Sequence, residues 1–530
     1  MKSWFRTLAL LLSLITLLTA CSSPEQPPVT ETTVSPEAQV TTPSLQPPAE
    51  EIQMPSYLCD IIDTVHIELV NETPTFSPSP SLPEDNCRVI VPHFTVNDHM
   101  VLQRRAVNLI RGRTSDAHVA VEFCGKTYYG TVENGFFEVY LPPMEAEFGK
   151  DLVILTDTAK LTLRDVCVGE VFLLSGQSNM VWSLGWSEDI HKENISSATE
   201  DGIRVLRMNH TESEYERADA EGDVEWTRIS PETAKTFSAI GYLFGKRIHK
   251  ELNVPVGLVQ SAVSGSTIAF WMPRDTYQAY VKAGGESYFS TSSGNLMPNL
   301  GYNGMIAPLV GMRFRGMLWY QGEANTYDNM HYYAQLKCLI DAYRERFDAP
   351  LMAVTLVELA KATADHAEKW APVKTAQQEA AQTLENVALS VSVDLGYMAD
   401  VHPRDKTVYA KRAAEITLNR FFGMEIDPFP QVSGSSRISE TIVQLTLTGG
   451  SGFVLANGKN GFEVSADGKT YVPADQVDLD GNELTVVASQ PFSYIRYGVI
   501  YYTAEPDFGK HVTVYNTEGN PLDQFILHVE

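Results

Sequence analysis

Basic residues are scarce in this chain. Of its 530 residues, 40 are Lys or Arg against 66 Asp or Glu, a formal net charge of -26. Nucleic acids and anionic lipid surfaces both call for a basic patch that releases counterions, and no Lys/Arg cluster offsets the deficit, so no nucleic-acid partner is expected. Metal-ligand spacing is also missing. No Cys-x-x-Cys or His-x-x-His pair is present, and neither a metal nor another cofactor is expected. Long hydrophobic runs are limited to one, Thr7 to Leu18, which is too short to span a bilayer as a permanent helix. What remains is a soluble globular composition, 44% hydrophobic and 20% charged, in a chain long enough for two to four domains.

That single apolar run follows Lys2 and Arg6 and leads through Thr19 and Ala20 into Cys21. Leu18-Thr19-Ala20-Cys21 resembles a bacterial lipobox. The resemblance implies cleavage before Cys21, a lipid on its thiol as the link to a membrane, and an extracytoplasmic place in the cell envelope. A plain secretory signal cleaved after Ala20 is the alternative, and it too takes the chain out of the cytoplasm. With Cys21 so used, five of the six cysteines remain, and an odd number cannot all pair. Cys59 and Cys87 flank a Pro/Ser-rich stretch that a disulfide could close; Cys124, Cys167 and Cys338 are expected as buried thiols.

Composition divides the rest. Residues 1–20 read as the signal peptide and 21–56, rich in Pro, Thr, Ser, Glu and Gln, as a stalk with too few large apolar residues to order. Residues 57–86 are ambiguous, with a possible strand at Ile61 to Val70 before several prolines. From 87 to 166, short runs such as Val119 to Phe123, Phe136 to Leu141 and Leu152 to Leu155 alternate with turns, Asn134-Gly135 being the clearest, which predicts a small β-sandwich. From 167 to 425, strand-like runs at Val171 to Leu174, Val256 to Val259, Met317 to Tyr320 and Val387 to Val393 are separated by helical spacing. One helix carries Phe237, Ile240, Phe244 and Ile248 on one face. Alternating strands and helices predict a mostly parallel sheet with functional loops at the strand carboxyl ends. From 426 to 530 short strands return as a second β domain.

The most informative stretch is Gly169 to Met180, Gly-Glu-Val-Phe-Leu-Leu-Ser-Gly-Gln-Ser-Asn-Met. An apolar strand ends abruptly and delivers Ser178 to the lip of a sheet. Met180 stands where a Gly-x-Ser-x-Gly elbow needs its second glycine, which counts against a lipase-type α/β-hydrolase. Three further blocks follow in order: Gln260-Ser261-Ala262-Val263-Ser264-Gly265-Ser266, then Gly316 to Asn325 reading Gly-Met-Leu-Trp-Tyr-Gln-Gly-Glu-Ala-Asn, then Asp400-Val401-His402-Pro403. Together they resemble the sialate O-acetylesterase family within the SGNH hydrolases. Met100 to Arg104, Asp165 to Val171 and the C-terminal stretch around Val514 to Phe525 extend the resemblance over nearly all of the chain from Val89.

The resemblance implies an α/β fold, an SGNH-type flavodoxin-like parallel sheet flanked by N- and C-terminal β-sandwich domains. It implies Ser178 as nucleophile, His402 as base with Pro403 opening the next helix, and an oxyanion hole from the N–H groups of Ser178 and Gly265 and the side-chain amide of Gln321. Ser264 departs from the family's usual glycine. The acid that orients His402 stays open: Asp400 is first choice, although many relatives place it at the position of Ala399, and Glu323 and Asp394 are the alternatives. The implied activity is removal of O-acetyl groups from carbohydrates, with an acetylated sugar or glycan as substrate. A deacetylase of acetylxylan or another polysaccharide shares all four blocks, and a non-catalytic glycan-binding lipoprotein is a reading of another class. The sequence sets no oligomeric state.

Overall fold

The structure, a computed structural model, describes residues 82–84, 88–285, 296–360, 367–396, 400–427, 429–456, 460–499 and 511–530. The signal segment, Cys21, the stalk, the expected strand at 61–70, and Cys59 and Cys87 lie outside the described residues.

A central sheet carries the second half of the chain's logic. Its strands are β1 (Lys160–Gly176), β2 (Ile203–Arg207), β3 (Trp226–Arg228), β4 (Val256–Ala262), β5 (Gly316–Tyr320), β6 (Ala353–Val357) and β7 (Val387–Ser390). They lie in the order β3-β2-β4-β1-β5-β6-β7, all parallel except the edge strand β3. The chain leaves β1 toward one side of the sheet, to β2 and β4, and then crosses to the other side at β5. Such a reversal opens a crevice beyond the carboxyl ends of the strands that flank it.

Six helices matter to the site: α1 (Ser178–Val181), α2 (Glu188–Ser196), α3 (Ala239–Leu252), α4 (Tyr332–Arg346), α5 (Ala367–Thr383) and α6 (Thr407–Phe422). Helices α3 and α6 pack together, as do α4 and α5. The predicted apolar face of α3 is the buried one: Ile240, Phe244 and Ile248 are in the core, and Phe237 is buried just before the helix. Its first turn is capped by Ser238, whose hydroxyl accepts from the Gly241 N–H. Asn253 ends it in the left-handed conformation, which Asn tolerates.

Two expectations meet corrections here. The first β segment does not stop at 166, because β1 runs unbroken for 17 residues. Its first half pairs with Glu147–Thr156 and its second half with β4 and β5, so one strand serves both sheets. Strand Glu147–Thr156 also pairs with the predicted strand Val119–Phe123, while Phe136–Leu141 belongs to a separate four-stranded sheet. Cys124 is exposed rather than buried. It occupies the turn between Val119–Phe123 and Lys126–Tyr129, with positive φ at Cys124 and Gly125, where a tight hairpin turn points away from the core. After α6, strands resume at Gln431 and form three small sheets with a second apolar cluster around Val443, Leu445, Val464, Ile495 and Tyr497.

Where the N-terminal strands meet the loop before β3, His93 is nearly buried. Its Nδ1 lies 2.8 Å from Thr95 Oγ1, and Arg111 approaches Nε2 at 3.1 Å. Burial first, and the Arg111 charge second, push its pKa down from 6.5 to about 4. The folded state therefore favours the neutral ring. Its contribution is complete above pH 6.5 and is lost as pH falls toward 4, where the unfolded chain still takes up the proton first. Unfolding free energy measured from pH 7 to pH 4 should thus fall less steeply in His93→Gln than in the parent, and equal slopes would remove His93 from this role.

Candidate active site

Gly176 closes β1 with φ +136, and a Cβ there would sit 2.1 Å from the Tyr320 carbonyl oxygen. Only glycine lets the ends of β1 and β5 come this close. The next residue ties them, since the Gln177 N–H donates to the Tyr320 carbonyl at 3.0 Å. Ser178 follows as the first residue of α1 and reaches the surface, while Gln177, Asn179 and Met180 on either side are buried. The strand therefore presents one side chain to the crevice.

The loop after β4 brings Gly265 to the same end of the sheet, with φ +75. Among the described residues neither the Ser178 nor the Gly265 N–H meets an acceptor. Backbone donors left free at a helix start and in a left-handed turn are suited to an oxyanion.

From the far side of the sheet comes the histidine loop. His402 Nε2 lies 2.8 Å from Ser178 Oγ, and its Nδ1 lies 2.8 Å from Asp400 Oδ1. The same Asp400 oxygen accepts the His402 backbone N–H at 3.0 Å. A two-residue spacing works because the carboxylate folds back on its own loop and receives ring and backbone together. Side-chain exposure is 27% for His402 and 49% for Asp400, so this chain of hydrogen bonds opens to solvent. The Trp182 indole stacks on the imidazole at 5.4 Å between centroids, 20° from parallel. Trp186 meets Trp182 edge-on at 5.3 Å and is 56% exposed, which extends an aromatic wall from the imidazole to the rim.

The other two acids face elsewhere. Asp394 makes a paired salt bridge to Arg412 at 2.6 and 2.8 Å. Glu323 accepts from Asn179 Nδ2 at 2.5 Å, its Oε2 is buried without a partner, and burial raises its pKa. Two more expectations are corrected. Pro403 does not open α6, which starts at Thr407. The intervening Arg404, Asp405 and Lys406 instead carry the loop past α2, where Arg404 pairs with Asp189 and the Lys406 N–H faces buried His191.

Gln321 is the second correction. It is completely buried, and its Nε2 faces Asn325 Oδ1 at 2.8 Å, the Ser266 carbonyl at 3.1 Å and Gln177 Oε1 at 3.2 Å. Tyr332 donates to its Oε1 at 2.9 Å. An amide has two protons, and these acceptors engage both, so Gln321 braces the loops instead of presenting a free donor. Gln177 Oε1 adds to the brace by accepting from the Gly322 and Ala324 N–H groups.

Sequence reasoning missed Asn179, Lys406 and the stacking of Trp182. Asn179 stood in plain view inside the serine block. Lys406 gave no signal, because a lysine four residues after a histidine reads as a solvated loop cation. It is in fact wholly buried, 5.6 to 5.8 Å from the rings of Trp182, Tyr320 and Tyr409, and its pKa is pushed down to about 7 chiefly by that burial.

Residues 168–413 match the family model described as carbohydrate esterase, sialic acid-specific acetylesterase. Sialate O-acetylesterase of Homo sapiens is 28% identical over 278 residues, which cover 48% of this chain and 53% of that protein. The Pongo abelii sialate O-acetylesterase matches to the same extent. The chain therefore spans about half the length of the curated relatives it matches. Among solved structures, a carbohydrate acetylesterase from Xanthomonas citri superposes with a TM-score of 0.74 at 26% identity, over 83% of this chain and 100% of that one.

If Gln321 is a brace, Gln321→Ala leaves several buried donors and acceptors unpaired. It should lower the unfolding free energy by about 1–3 kcal/mol in chemical denaturation. A variant as stable as the parent would show that the buried amide carries no structural load.

Proposed function

We propose that the chain is a serine esterase that removes O-acetyl groups from carbohydrates, of the sialate O-acetylesterase type. The observation that carries this reading is the hydrogen-bonded series Ser178, His402, Asp400 at the carboxyl end of β1, inside the family-matched region. The fold it rests on is an SGNH-type one, with β-sandwich domains on either side of the parallel sheet.

In the proposed cycle Asp400 holds the Nδ1–H of His402, leaving Nε2 free to accept. His402 takes the Ser178 proton as Oγ attacks the acetyl carbonyl. Negative charge on the former carbonyl oxygen is met by the N–H groups of Ser178 and Gly265. The C–O bond to the sugar breaks, and His402 returns its proton to the departing sugar oxygen. A water then gives its proton to His402 and attacks the acetyl-serine; acetate leaves and Ser178 recovers its proton. The exposed face of Trp186 is placed to support the sugar ring, since the apolar face of a pyranose packs on an aromatic ring. The lipid on Cys21 and an extracytoplasmic location remain part of the proposal, supported by the run Thr7 to Leu18 and the box Leu18 to Cys21.

The test is hydrolysis of a 9-O-acetyl sialoside, acetylated xylan and 4-nitrophenyl acetate by the parent chain and by Ser178→Ala. The parent should cleave the sialoside and 4-nitrophenyl acetate, and Ser178→Ala should lose about five orders of magnitude in kcat on both. Trp186→Ala should raise KM for the sialoside by roughly threefold to tenfold with kcat retained. No hydrolysis of any of the three esters would sink the esterase reading, whereas cleavage of xylan without the sialoside would move the substrate to a neutral polysaccharide.

A further inference from the structure

His402 and Ser178 lie 224 residues apart. The hydrogen bond between them requires the loop that carries His402 to stay seated against the start of α1. Asn179, the residue after the nucleophile, makes that joint. Its Oδ1 accepts from Lys406 Nζ at 2.5 Å. Its Nδ2 donates to Glu323 Oε1 at 2.5 Å and to the Val401 carbonyl at 3.0 Å. Val401 immediately precedes His402, so one amide holds α1, the loop after β5 and the histidine loop together.

An asparagine amide can face either way, and its neighbours decide. Lys406 has protons to donate whether it is an ammonium or an amine. Glu323 Oε1 accepts whether the carboxyl is ionised or carries its proton on the unpartnered Oε2. The two groups therefore fix the same orientation wherever the proton between them resides. With Oδ1 committed to Lys406, both Nδ2 protons are available, and one of them grips the Val401 carbonyl. Take Lys406 away and Oδ1 is left buried without its donor: Glu323 and the Val401 carbonyl still select the Nδ2 side, but the amide is then held from one side only and its grip on the loop weakens. A buried lysine is costly in a core that an apolar side chain could fill, and this one is enclosed by three aromatic rings, which argues for a specific task.

We propose that Lys406 is a positioning residue: from the floor of the site it orients the Asn179 amide, with Glu323 as its counterpart, so that α1 grips the backbone at Val401 and keeps His402 Nε2 on Ser178. The kinetic consequence rests on the esterase reading; the hold on the loop does not.

Lys406→Met, which fills the same space without a donor, separates the two. Amide hydrogen exchange across residues 400–406 should quicken by about tenfold, because opening of the loop then breaks only a weakened Val401 contact. The kcat on 4-nitrophenyl acetate, expressed per active site titrated with an organophosphonate so that unfolded protein is not counted, should fall by about tenfold with KM within roughly twofold of the parent. Asn179→Ala removes the joint itself and should reproduce both effects, so it carries the test should Lys406→Met fail to fold. Unchanged exchange overturns the proposal, even if kcat falls, since Lys406 would then act through its charge. Quicker exchange with an undiminished kcat also overturns it as a positioning role. A parent chain inert toward acetyl esters, with the exchange difference still present, would overturn the esterase reading and leave the hold on the loop standing.

Discussion

The close approach of two strand ends governs this site. Between Gly176 and the Tyr320 carbonyl there is no room for a single methyl group, and the Gln177 N–H closes the gap with a hydrogen bond. That contact fixes where β1 stops, and so where Ser178 emerges. It also aligns the serine block with the loop after β5, where Gln321 and the Ala324 N–H then face Gln177 and Glu323 faces Asn179 across a few ångströms. A sheet of six parallel strands with one order reversal supplies the crevice, but the missing side chain at position 176 sets its floor.

Two layers of polar groups follow from this arrangement, and they differ in kind. The upper layer, Ser178, His402 and Asp400, is partly open to solvent. The lower layer is closed. Gln177, Gln321, Asn325, Gln335 and Tyr332 pass hydrogen bonds among themselves with no exposed member. Buried polar networks of this type are costly when half satisfied and rigid when complete. Lys406 and Glu323 occupy the seam between the layers. Burial moves both toward their neutral forms, down for the lysine and up for the glutamate.

Much of this was legible in the sequence, for reasons that differ by element. The end of β1 and strands β4 and β5 were readable because each carries an apolar run, Val171 to Leu174 in β1, ended by small or polar residues, and α3 because its buried face repeats at helical spacing. That Ser178, His402 and Asp400 come together was legible because motif and chain order agreed. The Asp400 geometry shows how a two-residue spacing suffices when one carboxylate oxygen receives both ring and backbone. The burial of Gln321 was not legible because an amide at a strand end carries no sign of whether it faces the crevice or the core. Its partners Ser266, Asn325 and Tyr332 come from different parts of the chain and are brought together only by folding. Lys406 was missed for the same reason, since its burial depends on Trp182, Tyr320 and Tyr409 converging from three segments. Cys124 shows the reverse error, an apolar context in sequence that turns out to be the tip of a hairpin.

The central claim is that this geometry makes one serine nucleophilic. Reaction of the folded chain with a serine-directed organophosphonate, followed by peptide mass mapping, tests it without assuming any substrate. The account predicts a single adduct on Ser178 that is absent from His402→Ala and from chain unfolded in denaturant. An unmodified Ser178 in folded protein, or an adduct confined to another serine, would contradict it.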